Sequence, residues 1–238
     1  MKEPLEKKLG VPVYVINDAE AAAWGEKIFG AGKDVENLVY LTISTGIGAG
    51  VIVDGRLILG KDGNAHEVGH MVIDVSDGLP CNCGGRGHWE AYASGSNIPR
   101  YAAWLARRKS PSRFGDSQAY LLALQGELDA PTLYKLAREH DRFAEYIVHK
   151  LNKIHAAGIA NIANAYDPEI ITIGGSVFLY NIDLMLNEIV ELAKENMIVK
   201  PPEIKPTPLG FDAGLYGAVT IAIKPPEALM RIQRSTIK

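Results

Sequence analysis

The sequence predicts an α/β fold, in which strands and helices alternate along the chain. Three short apolar runs follow one another within residues 38–59, and a fourth lies at residues 169–173. Between them, apolar residues recur every three or four positions over residues 141–165, which is the pattern of a long amphipathic helix. Strands flanked by helices are typical of α/β proteins. A chain of 238 residues, 47% apolar and 22% charged, is long enough to bury a sizeable core.

Local signals place the elements in chain order. Asn17 or Asp18 is suited to cap the Ala- and Glu-rich helix that follows. Asp54-Gly55 favours a two-residue hairpin. The predicted strands cover residues 11–16, 38–43, 49–53, 56–59 and 169–173. The predicted helices cover residues 19–29, 101–128 with an interruption at 110–113, 141–165, 181–195 and 214–223, and residues 200–208 are a Pro-rich connection.

Composition and charge exclude several classes of protein. The net charge of −3 leaves no basic footprint for nucleic acid. No apolar run reaches ~18 residues, so no transmembrane helix is predicted, and the charged N-terminal residues do not form a signal peptide. Cys81 and Cys83 stand only two positions apart, where they are poorly placed to staple a fold. They indicate a reducing compartment, so we expect a cytoplasmic protein.

Two glycine-rich segments follow predicted strands. Gly46, Gly48 and Gly50 lie between two apolar strands, where they permit a tight turn whose N–H groups can hold a phosphate. A dinucleotide-binding fingerprint has a helix after its glycines, whereas a strand follows here, and a glycine-rich hairpin without a ligand is the alternative. Gly174-Gly175 ends a buried strand and lets a ligand approach the backbone, although by itself it is only a turn from a strand to a helix.

Asp18 follows the first predicted strand, at the end that faces the usual ligand crevice of an open α/β sheet. Its carboxylate is therefore a candidate general base. An Asp after a strand is more often a helix N-cap, which is the alternative.

Residues 66–70 are His-Glu-Val-Gly-His, which matches the zinc metalloprotease pattern H-E-x-x-H. That pattern requires a helix, so that both histidines share one face and bind zinc with the Glu as base. Gly60 and Gly69 disfavour a helix here, since glycine costs ~1 kcal/mol in a helix, and a strand-like run follows. A metalloprotease is therefore a distant hypothesis, and Glu67 and His70 are polar groups of a glycine-rich loop.

A further cluster has the spacing of a zinc site. Cys81, Cys83 and His88 form C-x-C-x₄-H, and His70 lies eleven residues before the first cysteine. Structural zinc takes four nitrogen or sulfur ligands in a closed tetrahedron, and these residues supply four. A strained disulfide between the two cysteines and a pair of free thiols are the alternatives.

In this order, the segments resemble the ROK family (repressor, open reading frame, kinase) from about Leu5 to Val219, which is most of the chain. Five motifs carry the resemblance. They are the Asn-Asp segment Val15–Ala19 with Gly25-Glu26, the glycine loop Ile43–Val51, the E-x-G-H motif Glu67–His70, the zinc loop Cys81–Glu90 and the adenosine segment Asp167–Val177. The family's zinc loop has a third cysteine where this chain has His88, and imidazole is also a good zinc ligand.

The resemblance implies an actin-like, hexokinase-like ATPase fold of the ribonuclease H-like kind. It implies a glucokinase-like enzyme that transfers the γ-phosphate of ATP to a hydroxyl of a hexose or N-acetylhexosamine, with Mg²⁺ bound with ATP and one structural Zn²⁺. The implied site residues are Asp18 as the base; Asn17, Glu67, His70 and Glu90 on the sugar; Thr45, Gly46 and Gly48 at the phosphates; Gly174 and Gly175 at the adenosine; and His70, Cys81, Cys83 and His88 on zinc.

One departure concerns the N-terminal lobe of the family. That lobe carries an Asp-x-Gly-x-Thr phosphate hairpin, and this sequence contains no such hairpin. We therefore expect residues 1–34 to be a remnant of the small lobe, and residues 35–238 to form the complete large lobe with the zinc loop at 66–90. On this interpretation the chain is N-terminally truncated and its ATP site is half built. Apolar strand surface left exposed at residues 11–16 then favours a homo-oligomer, a dimer or a tetramer.

A sugar-sensing transcriptional regulator of the same family is the principal alternative to a kinase. Such regulators carry a helix-turn-helix ahead of the kinase-like lobe, and this sequence contains none. Retention of Asp18 favours kinase ancestry. The residues do not identify the sugar, so glucose, fructose, mannose and N-acetylmannosamine stay open.

Overall fold

The computed structural model describes residues 2–235 except residues 77 and 110. A five-stranded sheet lies at its centre. The strands are β1 (Leu38–Ile43), β2 (Ile47–Val53), β3 (Arg56–Leu57), β4 (Ile170–Gly174) and β5 (Glu203–Pro206). Their order across the sheet is β3-β2-β1-β4-β5. The first three form an antiparallel meander, whereas β4 is parallel to β1 and β5 is parallel to β4, with Thr42 opposite Gly174.

Helices make up most of the remainder. Within the described ranges they are α1 (Lys2–Leu9), α2 (Asp18–Phe29), α3 (Glu90–Ala93), α4 (Ile98–Ala106), α5 (Pro111–Phe114), α6 (Gln118–Gln125), α7 (Ala130–Arg138), α8 (Arg142–Tyr166), α9 (Ser176–Leu179), α10 (Ile182–Lys194), α11 (Ala213–Ile223) and α12 (Glu227–Ser235). Two short 3-10 turns cover Val68–His70 and Gly210–Asp212. None of the described helices is both long enough and apolar enough to span a bilayer.

Helices cover both faces of the sheet. Side chains alternate between the two faces along each strand, so a single strand contributes to the packing on both faces. On β1, Val39, Leu41 and Ile43 join the larger apolar core together with α8 and α10. Leu38 and Tyr40 point to the opposite face and join a second cluster with α2 and α11. A strand covered on both faces is apolar throughout rather than alternating, which explains the continuous apolar run of β1.

Two glycines let α2 and α11 cross in backbone contact. A Cβ atom on Gly217 would lie 2.3 Å from the carbonyl carbon and oxygen of Ala21, and one on Gly25 would lie 2.8 Å from the nitrogen of Gly217. The Nε1 of Trp24 also donates to the carbonyl of Lys224, at the end of α11, at 2.8 Å. This contact fixes α2, whose first turn carries Asp18, against the sheet.

The long helix predicted at residues 141–165 is α8. Asp141 caps its start by accepting from the N–H groups of Phe143 and Ala144 at 3.1 and 2.9 Å. Asp167 ends it in the left-handed conformation, with φ of 43°. In the middle of the helix, Gly158 leaves space for the indole of Trp89, which a Cβ atom there would meet at 2.3 Å.

The strand predicted at residues 11–16 is wrong, because this segment is irregular. The N–H of Val13 donates to the carboxylate of Glu6 at 3.0 Å, and the carbonyl of Val15 accepts from Gln233 at 2.7 Å. A strand requires a neighbouring strand for its hydrogen bonds, and no other described segment pairs with this one. Val15 is left 51% exposed.

Several other elements differ from prediction. β3 ends two residues early, and β4 lies one residue later than predicted. The helical region 101–128 is divided among α4, α5 and α6; the interruption at 110–113 includes residue 110, which lies outside the described residues, and most of α5. β5 lies inside the predicted Pro-rich connection, and the helices that are not predicted are α1, α3, α7, α9 and α12. The division at residue 34 stays a prediction, although α2 on one side of it packs against the sheet on the other.

Candidate functional site

The parallel strands β1, β4 and β5 end at one edge of the sheet. The segments that follow them are the turn 44–46, Gly175 with α9, and residues 207–212. In open α/β sheets, ligands bind in the crevice outside the carboxyl ends of the strands. The start of α2 borders the same edge, because a Cβ atom on Gly48 would lie 3.6 Å from the Cβ of Ala19. The predicted catalytic segment and the predicted glycine loop are therefore neighbours.

The first turn of α2 is closed by a reciprocal cap. The side chain of Asn17 accepts from the N–H groups of Ala19 at 2.9 Å and Glu20 at 3.5 Å, and the carboxylate of Glu20 accepts from the N–H of Asn17. This is the capping-box arrangement, in which the first and fourth residues each satisfy an N–H group of the other. Asn17 is thus the cap, and the carboxylate of Asp18 is exposed on the first turn, where it accepts from the N–H of Ala19 at 2.9 Å.

A cleft of about 340 Å³ opens beside this turn. It brings together three of the predicted residues, Asn17, Gly48 and Glu67, and adds Glu20, which the motif analysis does not single out. Burial raises the pKa of Glu20 to about 7; the N–H of Asn17 opposes this increase and the charge of Glu67 adds to it. The other lining residues are Val15, Ile16, Ala49, Leu59, Asp62, Gly63, Asn64, Ala65, His66, Leu229, Ile232 and Gln233.

Glu90 contacts the glycine turn directly. Its Oε2 accepts from the N–H of Ile47 at 2.8 Å, and a Cβ atom on Gly46 would lie 2.8 Å from the same oxygen. From the other side, the carbonyl of Thr45 accepts from the N–H and hydroxyl of Ser96 at 3.2 and 2.8 Å. The structure therefore places the predicted sugar residue Glu90 against the predicted phosphate residue Gly46. The carboxylate of Glu90 also accepts from the N–H of Ile47, which is one of the N–H groups that the sequence predicts to face a phosphate.

The loop between residues 66 and 90 gathers the four predicted metal ligands. The ligand atoms of His70, Cys81, Cys83 and His88 all lie within 4.8 Å of one another. The Nδ1 of His70 is 3.7 Å from the sulfur of Cys81, and the Nδ1 of His88 is 3.2 Å from the sulfur of Cys83. Both cysteines are free thiols, so the alternative disulfide is not formed. Two cysteines and two histidines form a donor set that zinc prefers.

Backbone and core contacts hold this loop in place. The N–H of Cys81 donates to the carbonyl of Gly85 at 2.8 Å, and Val72 forms a β-bridge with His88. Trp89 is fully buried, and its Nε1 donates to the Nδ1 of His155 at 3.2 Å. Burial lowers the pKa of His155 to about 3, so its ring stays neutral and able to accept. The segment 88–90 is therefore anchored to α8.

The H-E-x-x-H pattern does not form a helical metal site. Residues Val68–His70 are only a 3-10 turn, and the two ring nitrogens of His66 lie against the carbonyl oxygens of Ala49 and Ile58. Glu67 instead lies beside His70, with Oε2 3.9 Å from Nε2. Because both ring nitrogens of His66 face backbone carbonyl oxygens, His66 and His70 do not form a pair of metal ligands.

Packing explains the glycine that ends β4 and the glycine that follows it. A Cβ atom on Gly174 would lie 2.5 Å from the hydroxyl oxygen of Tyr40, and one on Gly175 would lie 2.5 Å from the carbonyl oxygen of Ile43. Gly175 also has a φ of +87°, which favours glycine. The hydroxyls of Ser44 and Ser176 lie 3.0 Å apart and join the segments that follow β1 and β4. The two glycines do not line the cleft beside Asn17.

Solved structures with this architecture include ROK family sugar kinases and a ROK family transcriptional regulator. The ROK hexokinase from Thermus thermophilus has a TM-score of 0.81 at 32% identity, over 93% of this chain and 68% of that one. A ROK family glucokinase from Streptomyces griseus, in complex with glucose and AMPPNP, has a TM-score of 0.75 at 35% identity, over 94% and 72% of the two chains. The fold is therefore the actin-like ATPase fold of the ROK hexokinases, as the sequence predicts.

Sequence comparison identifies the family. The model of the ROK family matches residues 1–225, and the chain belongs to this family. The glucokinase of Pyrobaculum calidifontis is 41% identical over 229 residues, which are 96% of this chain and 71% of that protein. A xylose repressor of Bacillus subtilis is 32% identical, over 94% of this chain and 53% of the repressor. The resemblance that the five motifs indicate is confirmed.

Proposed function

We propose that this protein is an ATP-dependent hexose kinase of the glucokinase type, acting on a hexose or an N-acetylhexosamine. The position of Asp18 is the observation that carries the proposal. Its carboxylate is exposed on the first turn of α2 at the crevice edge, where Oδ1 accepts from the N–H of Ala19 while Asn17 caps the helix. The similarity to glucokinases from Pyrobaculum calidifontis and Streptomyces griseus supports the same assignment.

In this proposal Asp18 accepts the proton of the attacking sugar hydroxyl. A bond forms between the sugar oxygen and the γ-phosphorus, the bond from that phosphorus to the oxygen of ADP breaks, and the proton passes to the carboxylate. Asn17, Glu67, His70 and Glu90 hold the sugar. Phosphoryl transfer depends on positioning and charge neutralisation more than on covalent catalysis, and Mg²⁺ bound with ATP supplies the neutralising charge.

We assign Thr45, Gly46 and Gly48 to the phosphates of ATP, and the turn at Gly174–Gly175 to its adenosine. The hairpin turn is braced from two sides, by Glu90 at Ile47 and by Ser96 at Thr45. A turn that is fixed before the nucleotide arrives loses less entropy on binding.

We infer that the four clustered ligands hold one structural zinc ion. Tetrahedral zinc with bonds of about 2.0–2.3 Å places its ligand atoms roughly 3.3–3.8 Å apart. The ligand atoms here lie within 4.8 Å of one another, so small side-chain rotations suffice to close the site. Four protein ligands leave no position for a reactive water, so the ion would fix the loop rather than take part in the reaction.

We also propose that the protein is a cytoplasmic homo-oligomer, a dimer or a tetramer. The free thiols Cys81 and Cys83 suit a reducing compartment. Leu9 at the end of α1, and Val11 and Val15 in the irregular segment after it, are exposed apolar residues that association would cover. Light scattering after gel filtration measures the mass, and a monomer at micromolar concentration would contradict the oligomer.

A coupled assay of ADP release with ATP, Mg²⁺ and a panel of hexoses tests the kinase. Removal of a general base commonly lowers the rate about 10²–10⁴-fold. Asp18→Asn should show a loss of this size while keeping its hexose affinity in calorimetry. Asp34→Asn is the control, because Asp34 is also an exposed carboxylate and does not line the cleft. It should change neither the turnover rate nor the hexose affinity. Turnover of Asp18→Asn close to that of the unmodified protein would rule out the assigned base.

A sugar-sensing regulator is the second candidate, favoured by the similarity to the xylose repressor. We expect the chain by itself to turn over below the ~1–100 s⁻¹ usual for kinases, because its sequence holds no Asp-x-Gly-x-Thr hairpin. The two candidates still differ in outcome. Residual turnover that disappears in Asp18→Asn indicates a kinase, whereas hexose binding with no turnover above the background of Asp18→Asn indicates a regulator. Turnover at ordinary kinase rates would show that the hairpin is unnecessary.

A further inference from the structure

Two aromatic side chains, Tyr180 and Phe211, pack against each other at the surface. Their ring centroids lie 5.0 Å apart with a tilt of 41°. Tyr180 is 71% exposed and Phe211 is 62% exposed, so most of both rings faces solvent. Aromatic side chains of this size usually contribute to a core or an interface, and neither ring belongs to the two apolar cores of the described residues.

The backbone beneath Tyr180 is firmly held. Tyr180 follows α9 directly, and its carbonyl accepts from the Nη2 of Arg138 at 2.9 Å. The same guanidinium binds Asp183 through two parallel hydrogen bonds of 2.8 and 2.7 Å. Bidentate pairs of this kind fix geometry as well as charge. The exposure of the ring therefore does not result from a loose segment.

The backbone beneath Phe211 is also constrained. Thr207, at the end of β5, accepts from the N–H of Leu209 at 3.1 Å, and its hydroxyl donates to the buried carboxylate of Glu26. Gly210 turns the chain with a φ of +56°, and Phe211 lies in the 3-10 turn that follows. Both rings are thus presented by short ordered segments.

These segments start at the proposed nucleotide turn. One follows β4 and the other follows β5, which are neighbouring parallel strands that end at the same edge. Gly174 touches the second segment, since a Cβ atom there would lie 3.1 Å from the Cγ2 of Thr207. Tyr180 is five residues beyond Gly175 and separated from it by one helical turn, a distance of roughly 8 Å at 1.5 Å per residue. The ring pair is therefore within the reach of one nucleotide.

We propose that Tyr180 and Phe211 form the surface on which the base of the bound nucleotide stacks. The inference rests on the proposed kinase function and extends it to a part of the site that no motif marks. Stacking uses the flat face that all bases share, rather than the hydrogen-bonding edge that distinguishes them. The pair therefore favours any nucleoside triphosphate over a bare polyphosphate, and it discriminates weakly between adenine and guanine.

The test measures the binding of ATP and of inorganic tripolyphosphate by calorimetry, together with KM for ATP and for glucose. Stacking of one base is worth roughly 1–3 kcal/mol, so Tyr180→Ala with Phe211→Ala should weaken ATP binding about 5- to 150-fold. Tripolyphosphate binding and KM for glucose should stay within twofold, and Tyr180→Phe should retain ATP binding. GTP should bind within about fivefold of ATP in the unmodified protein.

Tyr216→Ala is the matched control, because Tyr216 forms a similar exposed pair with Phe29, with centroids 5.7 Å apart and a tilt of 54°. An unchanged ATP affinity in the double variant overturns the inference, as does an equal loss of tripolyphosphate binding or an equal loss in Tyr216→Ala. These results leave the kinase proposal intact. Unmodified protein that binds glucose but not ATP would overturn the kinase proposal together with the inference.

Discussion

Gly217→Ala adds one methyl group at the crossing of α2 and α11. The new Cβ atom would lie 2.3 Å from the carbonyl carbon and oxygen of Ala21 and 2.7 Å from the nitrogen of Ala22. Ordinary contact begins at 3.4 Å, so the two helices must separate by about 1 Å. The opposing atoms are backbone, which no rotamer change can move aside, and α2 is also fixed by the bond from Trp24 to Lys224.

The expected loss of stability follows from this contact. Overpacking in a well-packed region costs typically ~1–3 kcal/mol, and the backbone contact places Gly217→Ala at the upper end of this range, at about 3 kcal/mol. A chain of this size loses about 2–4 °C in Tm per kcal/mol, so we expect Tm to fall by about 6–12 °C. Because α2 carries Asp18, a displacement of this size also lowers kcat by about 10²-fold.

The assay compares thermal and urea unfolding, and then kcat, with Gly214→Ala as the control on the same helix. A Cβ atom on Gly214 meets nothing within 4 Å, and alanine is the better helix former by about 1 kcal/mol. Gly214→Ala should therefore be neutral or slightly stabilising. If Gly217→Ala unfolds within about a degree of the unmodified protein, the backbone contact between α2 and α11 is not the constraint described here.

Two further predictions concern carboxylates of the candidate site. Glu90→Ala leaves the buried N–H of Ile47 unpaired, at a cost of about 1–3 kcal/mol in unfolding free energy. Glu90→Gln keeps an acceptor, so its unfolding free energy should lie within about 0.5 kcal/mol of that of the unmodified protein. Both variants should bind hexose more weakly. Glu20 has a pKa of about 7 in the folded chain against an ordinary value of 4.5, so the unfolded chain releases its proton first as pH rises. Stability should therefore fall between about pH 5 and pH 7, and the advantage of Glu20→Gln should grow by about 2–3 kcal/mol from pH 5 to pH 8.

A different result would contradict each of the predictions for Glu90 and Glu20. Equal destabilisation by Glu90→Ala and Glu90→Gln would show that the hydrogen bond to Ile47 is not what Glu90 contributes to folding. For Glu20, the comparison with its Gln variant isolates one group, because Gln can also complete the capping box with Asn17. A stability difference that does not vary with pH would mean that Glu20 titrates alike in the folded and unfolded chains.

The parts of the fold that depend on local signals are those that the sequence predicts well. The stripe of α8 and the hairpin signal at Asp54-Gly55 lie within single segments, and both are present. β5 was not predicted because its run of Glu-Ile-Lys-Pro is polar and ends in proline; it is a strand only through its pairing with β4. An edge strand tolerates proline because its outer side needs no ladder hydrogen bond. The apolar run at residues 11–16 has strand propensity and lacks such a partner.

In the candidate site, too, features with short sequence spacing are predicted, whereas contacts between distant residues are not. The four predicted metal ligands do converge, because their spacing is short and the loop folds back on itself. The capping partner Glu20 carried a signal that could have been used, since Asn17 and Glu20 have the N-x-x-E spacing of a capping box. No sequence signal marks the hydrogen bond between Glu90 and Ile47, because the two residues are 43 positions apart and meet only when the zinc loop packs on the hairpin.

Removal of the proposed zinc ion should loosen one side of the candidate sugar site more than the other. Glu90 is bound to Ile47 and follows Trp89, whose buried indole is tied to α8 through His155. None of these contacts involves the metal ligands. Glu67, in contrast, is an exposed side chain that precedes the 3-10 turn ending at the proposed zinc ligand His70.

Cys83→Ser, or exposure of the unmodified protein to a strong chelator, should therefore speed amide hydrogen exchange at residues 70 and 81–86 while residues 91–93 keep their protection. The N–H of Ala93 donates to the carbonyl of Trp89 at 3.2 Å, and that of Trp89 to Met71 at 3.0 Å. Hexose affinity should fall because Glu67 and His70 lose their fixed positions. Ser76→Ala, at an exposed loop residue outside the metal cluster, should retain both zinc and affinity. If residues 91–93 exchange as fast as the loop tip after zinc loss, Glu90 depends on the metal and the anchoring assigned to Trp89 is wrong.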